Sequence, residues 1–385
     1  MMGQAEPQMT LYHTIQIEQL VPENHPFRRI RPLVNTERIR ELCAPLYCPD
    51  NGRPSIPPEQ LFLAMLGGYL LGARSDRKVI MELQCNMAFR WFVGLDLDST
   101  IWDDTTFSKN RVKRFDETDV LERLFDETVQ QAMKKGWVSL HWSVDGTLVK
   151  ANASHKSFQP IEVLQKPEDY RKTMKSQKEE EDESPHPTDT DPGNPTVDWK
   201  GQKRSNATHR STTDPDSRLA TKSAKETVMP GYTVNGVMDN KSRMLLGIGV
   251  EIFQGPASER QGALNLLKRA RDKIRAGPKT LGADKGYFEK DFIEALFKRR
   301  IAPHIATIDR GKAKAYQRVR QRVRGMAYQM SQRARKKIEE LWGEAKEQHR
   351  FRQFLRRTLA HVRQESLWMG WTLNLKRMAT LTAVA

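Results

Sequence analysis

The spacing of apolar residues divides the chain into two regimes. From Val34 to about Met133 apolar positions recur every three or four residues, the period of helices with one buried face. Pro57-Pro58-Glu59 opens one such helix with proline where no N–H is needed, and Leu61 to Leu71 reads as its buried run. Ser75-Asp76-Arg77 caps a second, in which Val79, Ile80 and Leu83 keep helical spacing. At Val138 the period becomes two: Val138, Leu140, Trp142 and Val144 alternate with polar residues, which predicts a strand. Further strands are expected at Gly231 to Met238 and Met244 to Phe253, joined by Asp239-Asn240, and at Thr280 to Ala283 and Ile301 to Ile305. Helices are expected from Ser258 to Gly277-Pro278, at about Phe288 to Phe297, through Ile338, and from about Phe351 and Leu367.

The order β, β, β, α, β, α, β, α indicates one α/β sheet, with boundaries at 1–135 for the helical part and 136–385 for the sheet domain. A stretch at about 155–225 is rich in Lys, Glu, Asp, Ser, Thr and Pro and poor in large apolar groups. It is expected to be a polar insertion, disordered or laid over the surface.

Charge narrows the partners. A net charge of +16 and a pI near 9.7 favour a polyanion, with nucleic acid ahead of a membrane surface. The cations cluster, since eleven Lys or Arg and no acid lie between Arg310 and Lys337. Asp104 to Arg114 reads as a capped, donor-rich helix; a surface helix and one aimed at a DNA groove both remain open for it. Three cysteines, Cys43, Cys48 and Cys85, lack zinc-type pairing and argue for a reducing compartment. No signal peptide is read at Met1 to Thr10, and Leu61 to Ala73 is too short to span a bilayer, so a cytoplasmic chain is expected.

Candidate chemistry lies in three acids. Two expected strands run into aspartate, Val144-Asp145-Gly146 and Ala283-Asp284-Lys285, and ligands bind beyond strand ends in open α/β sheets. The third is Glu339. At about 100° per residue with Ile338 at zero, Leu341, Trp342 and Ala345 fall within about 60°, and Glu339 sits at about 100°. Arg335 and Lys346 lie on its side at about 60° and 80°, while Glu340 and Glu344 point away. Singly, Asp145-Gly146 reads as a hairpin turn, Asp284 as a helix cap and Glu339 as the partner of Arg335. Together, three carboxylates suit hard divalent cations, and a pair of such ions serves phosphodiester chemistry.

These motifs resemble a DDE transposase of a bacterial insertion sequence, in the group of insertion-sequence families four and five. Asp145-Gly-Thr-Leu-Val-Lys-Ala-Asn-Ala-Ser154 is similar to the motif of its first acid and Asp284-Lys-Gly-Tyr287 to that of its second. Arg335-x-x-x-Glu339-x-x-x-x-x-x-Lys346 matches the spacing of its third. Gly52-Arg-Pro-Ser-Ile-Pro-Pro-Glu59, Arg90-Trp-Phe-Val-Gly94, Thr105-Thr-Phe-Ser108, Ser211-Thr-Thr-Asp-Pro-Asp216 and Asn374-Leu-Lys-Arg377 also resemble it. The chain departs from the pattern at Gln332, where relatives often have Tyr, and at Trp342-Gly343-Glu344, where they have Phe-Gly-Trp.

The resemblance implies an RNase H-like mixed sheet flanked by helices, preceded by an all-α N-terminal domain that helps recognise DNA ends. It implies that Asp145, Asp284 and Glu339 are the catalytic, metal-binding residues, holding two Mg²⁺ ions for which Mn²⁺ substitutes. Arg335, Lys346, Lys336 and Lys337 are the expected phosphate contacts. The expected partners are double-stranded DNA, as terminal inverted repeats and target, and further copies of the chain, in a cytoplasmic, nucleoid-associated setting. The expected activity is cleavage of element ends and joining of the 3′-hydroxyl to target DNA. An RNase H-like nuclease without strand transfer and a non-catalytic DNA-binding derivative are the alternatives.

Overall fold

The computed structural model describes residues 16–48, 52, 54–161, 204–221, 227–309 and 311–384. Most of the predicted polar insertion, 162–203 and 222–226, lies outside the described residues, as does Arg310. The chain forms two compact units, Met1–Arg114 and Phe115–Ala385.

The first unit is helical: α1 (Ile17–Leu20), α2 (Pro26–Ile30), α3 (Thr36–Cys43), α4 (Pro58–Leu70), α5 (Asp76–Cys85), α6 (Met87–Val93) and α7 (Asp104–Arg111). Its centre is α4, in which Leu61, Phe62, Leu63, Ala64, Met65 and Leu66 are all fully buried. Neighbouring helices approach it at glycine: a Cβ on Gly67 would lie 2.1 Å from the Phe89 ring, and one on Gly68 2.5 Å from Val79 Cγ2. Arg90 is buried in α6 and donates to the carbonyls of Leu83, Asp96, Leu97 and Ser99, fixing the loop that leads to α7. Asp103 caps α7 by accepting from the N–H groups of Thr105 and Thr106. Phe107 and Arg111 bury the inner face of α7, with Arg111 3.0 Å from Asp76, so Thr105, Thr106 and Lys109 are left exposed.

The second unit opens with α8 (Val120–Lys134); its strands are β1 (His141–Lys150), β2 (Phe158–Pro160), β3 (His209–Ser211), β4 (Arg218–Ala220), β5 (Met229–Asp239), β6 (Leu245–Ile252), β7 (Thr280–Ala283) and β8 (Ala302–Ile305), of which β2 and β3 form a separate two-stranded ladder and the other six a mixed sheet. Its remaining helices are α9 (Pro256–Arg269), α10 (Lys290–Lys298), α11 (Lys314–Arg322), α12 (Met326–Glu347) and α13 (Leu359–Val384). The five main strands lie in the order β6-β5-β1-β7-β8, with β4 sharing the outer edge of β5. Only β5 runs antiparallel to the rest. A sheet of order 3-2-1-4-5 whose second strand alone is reversed is the RNase H-like arrangement.

Register fixes what covers each face. Asp145 pairs with Gly236, where a Cβ would lie 2.7 Å from the Trp342 ring of α12. Gly146 pairs with Asn235, whose amide lies against Gly262 of α9. Helices α12 and α9 therefore cover opposite faces. The α13 helix shares the α12 face, since Gly370 meets Ile248, which pairs with Gly236. Trp371 of α13 donates to Thr128 of α8, which closes the outer layer.

Two details differ from the periodicity. The first strand runs through Asp145-Gly146 to Lys150 instead of turning there, and Leu140 is exposed. The helix expected from about Phe351 is absent: 351–358 is irregular and one helix follows. Asp214 accepts from Thr358 N–H and Asp216 from Leu359 N–H, which caps α13 eight residues later than periodicity alone predicts. The polar stretch is structured at its flanks, where β2 pairs with β3.

Candidate active site

The site forms where the central strands part. The β1–β7 ladder ends at Ser143 and Gly282, while β1 continues to Lys150 paired with β5. Asp145 lies just beyond the split, in the middle of a strand rather than in a hairpin turn. Asp284 follows the last residue of β7 and caps the 3₁₀ turn Lys285–Tyr287, its Oδ1 accepting from Gly286 N–H at 2.8 Å. Glu339 reaches in from α12, whose Ile338, Trp342 and Ala345 are buried against the sheet.

These three acids share one electrostatic environment. The Asp145 carboxyl is pushed up to about 7, first by burial and then by the negative charges of Asp284, Glu259 and Glu339; Arg335 opposes the rise. The fourth acid, Glu259 of α9, was not among the sequence candidates. It looks like any first-turn acid at a helix N-terminus, and only the fold brings it to Asp145.

Arg335 joins the cluster from the cationic side. It is largely buried and donates from Nη1 to Glu339 at 2.8 Å and from Nε to Gln332 at 3.2 Å. Gln332 in turn donates to the carbonyls of Ala283 at 3.1 Å and His304 at 2.5 Å, the ends of β7 and β8. The residue that replaces the relatives' Tyr thus ties α12 to the strand end before Asp284 and orients Arg335. Lys346 lies one helical stretch further on and donates to Thr147 Oγ1 at 2.5 Å and Leu148 O at 3.3 Å on β1.

The fold separates the other predicted cations from this group. Lys336 is exposed, and Lys337 is on the far flank of α12, 2.7 Å from Glu340. Glu340 also faces Arg243 at 3.6 Å.

A wholly carboxylate donor set fits hard divalent cations in kind. Burial and mutual repulsion at Asp145 give the pocket a demand for positive charge, which Arg335 meets in part. As folded, Arg335 engages Glu339 and Gly286 engages Asp284, and among the described residues no three acids, histidines or cysteines converge closely enough to ligate an ion. Also among the described residues, no helix is long and apolar enough to cross a membrane.

Residues 15–113 match the family Transposase domain (DUF772), and residues 196–375 match Transposase DDE domain. No curated protein matches. Among solved structures, the Mos1 transposase paired-end complex with left transposon end is 9% identical over 77% of this chain and 80% of that one, at a TM-score of 0.20. A pre-cleavage Mos1 transpososome is 10% identical over 92% and 97%, at 0.19. Strand order and register, not these superpositions, carry the fold assignment.

Proposed function

Because the chain belongs to the DDE transposases of the insertion-sequence type, we propose that it cuts the ends of its element and joins the freed 3′-hydroxyl to target DNA. Asp145, Asp284 and Glu339 hold two Mg²⁺ ions in this reading, with Mn²⁺ able to substitute. When bound, such ions activate the attacking oxygen and stabilise the leaving one. Water attacks a phosphorus at the element's end, the P–O3′ bond breaks, and a 3′-hydroxyl is released. That hydroxyl then attacks a target phosphorus and displaces a target 3′-oxygen, so the number of phosphodiester bonds is conserved in the joining step.

What supports this reading is the placing of Asp145 where β1 and β7 part, of Asp284 just after β7 and of Glu339 on α12 beside Arg335, together with the rise of the Asp145 carboxyl caused by burial and neighbouring acids. Carboxylates gathered at a parted sheet are costly alone and favourable around divalent cations. Arg335 and Lys346 position DNA phosphates beside the acids. Lys336, Lys337 and the basic segment around them add sequence-independent, salt-sensitive affinity. The helical N-terminal region, with Thr105, Thr106 and Lys109 exposed along α7, contributes to recognition of the terminal repeats. The active assembly is an oligomer on DNA, in the cytoplasm at the nucleoid.

The test is cleavage of the element's own end sequences by wild type and Asp145→Asn, with Mg²⁺, with Mn²⁺ and with chelator. Cleavage that needs the ion and is lost in the variant supports the reading; equal cleavage by both sinks it. A labelled 3′-hydroxyl end that is cut but never joined would reduce the protein to a nuclease.

A further inference from the structure

The three acids of the motifs reach the pocket from β1, from the end of β7 and from the α12 face of the sheet. Nothing in those motifs comes from the opposite face. There, α9 runs across β5 and β6 and presents Glu259 in its first turn. A Cβ on Gly146 would fall 2.7 Å from Glu259 Cγ, 2.9 Å from its Cδ and 3.1 Å from Oε1. The Glu259 carboxyl therefore lies against the backbone beside Asp145, in space that glycine alone leaves open. Arg260 donates to Gly286 O at 3.1 Å and so pins the same helical turn to the turn that follows Asp284.

A second observation marks the same spot. Tyr287 is fully buried, and its hydroxyl has no hydrogen-bond partner among the described residues. Burial raises that hydroxyl well above its ordinary range, and of the charges acting on it Glu259 ranks first, ahead of Asp145 and Asp284. An orphaned donor thus lies among the acids from both faces.

We propose that Glu259 is a fourth carboxylate of the divalent-cation pocket, closing it from the sheet face opposite Glu339. The inference rests on the reading of Asp145, Asp284 and Glu339 as cation-binding acids. It gives α9 a part in the site and explains why residue 146 is glycine. A first-turn acid that serves only the helix dipole has no reason to touch cation binding.

Mn²⁺ binding to the full chain without DNA, read from the loss of the free-ion electron paramagnetic resonance signal, tests it apart from activity. Glu259→Gln should weaken binding about tenfold or more, Glu259→Asp should retain part of it, and Glu340→Gln should match wild type. Asp145→Asn distinguishes the two levels of the argument. If it abolishes Mn²⁺ binding while a folded Glu259→Gln stays within about twofold of wild type, the fourth carboxylate is refuted and the three-acid site stands. If Asp145→Asn binds Mn²⁺ as wild type does, both fall. Should Glu259→Gln fail to fold, Glu259→Asp decides, because a carboxylate drawn back by one methylene must weaken binding if it reaches the ion.

Discussion

Two adjacent glutamates on α12 meet different fates. Glu339 shares its guanidinium partner with a pocket of acids, and that pocket still raises Asp145. Glu340, one residue on, lies between Lys337 and Arg243, and the hydrogen bond from Lys337 lowers its pKa. Composition is the same on both flanks, acid beside base at helical spacing. The difference is made by what the sheet places opposite: parted strands carrying more acid on one side, a neutralised surface on the other. A charged residue becomes chemistry when its surroundings withhold the counter-charge.

The largest break in that comparison is expected from Glu339→Gln, which should abolish Mg²⁺-dependent cleavage of end DNA while binding of the ends persists; a gel assay reads both. Equal loss in Glu340→Gln would contradict the assignment of the two flanks. Next comes the packing that holds α12 in place. Gly236→Ala puts a methyl group against the Trp342 ring and should cost about 1–3 kcal/mol in denaturant unfolding.

Arg335→Ala should weaken DNA binding and lower the slope of log affinity against log salt by about one. Lys337→Ala, on the far flank of α12 beside Glu340, should shift that slope less. A milder effect is expected on pH dependence. The folded protein holds the Asp145 proton up to about 7, whereas the unfolded chain releases it near the ordinary carboxylate value. The cost of ionising Asp145 is therefore absent at low pH and grows as pH rises through that window, so the cation-free protein should lose stability there. Melting in chelator at about pH 5 and about pH 8 checks this: Asp145→Asn should flatten the dependence and melt higher at the upper pH. The smallest effect should be that of Glu340→Gln, with cleavage within about twofold of wild type.

Much of this architecture was legible in periodicity. The alternation at Trp142 and Val144, the Asp239-Asn240 turn and the helical stripe around Ile338 all correspond to observed elements. Periodicity failed where helices cover both faces of a strand. Leu148 and Val149 are adjacent and both buried, so the alternation that would have carried β1 past Asp145 disappears. It failed again at 351–358, where Phe351 and Phe354 are fully buried in irregular backbone and aspartates 144 and 143 residues earlier set the helix start. The acids were legible as motifs. Glu259 was not, because its signal is a contact between α9 and Gly146 that spacing along the chain does not encode.

The small ladder of β2 with β3 has a practical corollary. Ile161 N–H donates to Thr208 O at 2.9 Å, so the intervening segment departs and returns at neighbouring points. Closing a connection between fixed ends depends only weakly on its length, about 0.6 kcal/mol per doubling. A short turn grafted between Ile161 and Arg204, which keeps the two hydrogen bonds between Asn206 and Leu219 of β4, should leave the five main strands in register and makes this clasp the natural port for trimming the protein or fusing a new module onto it.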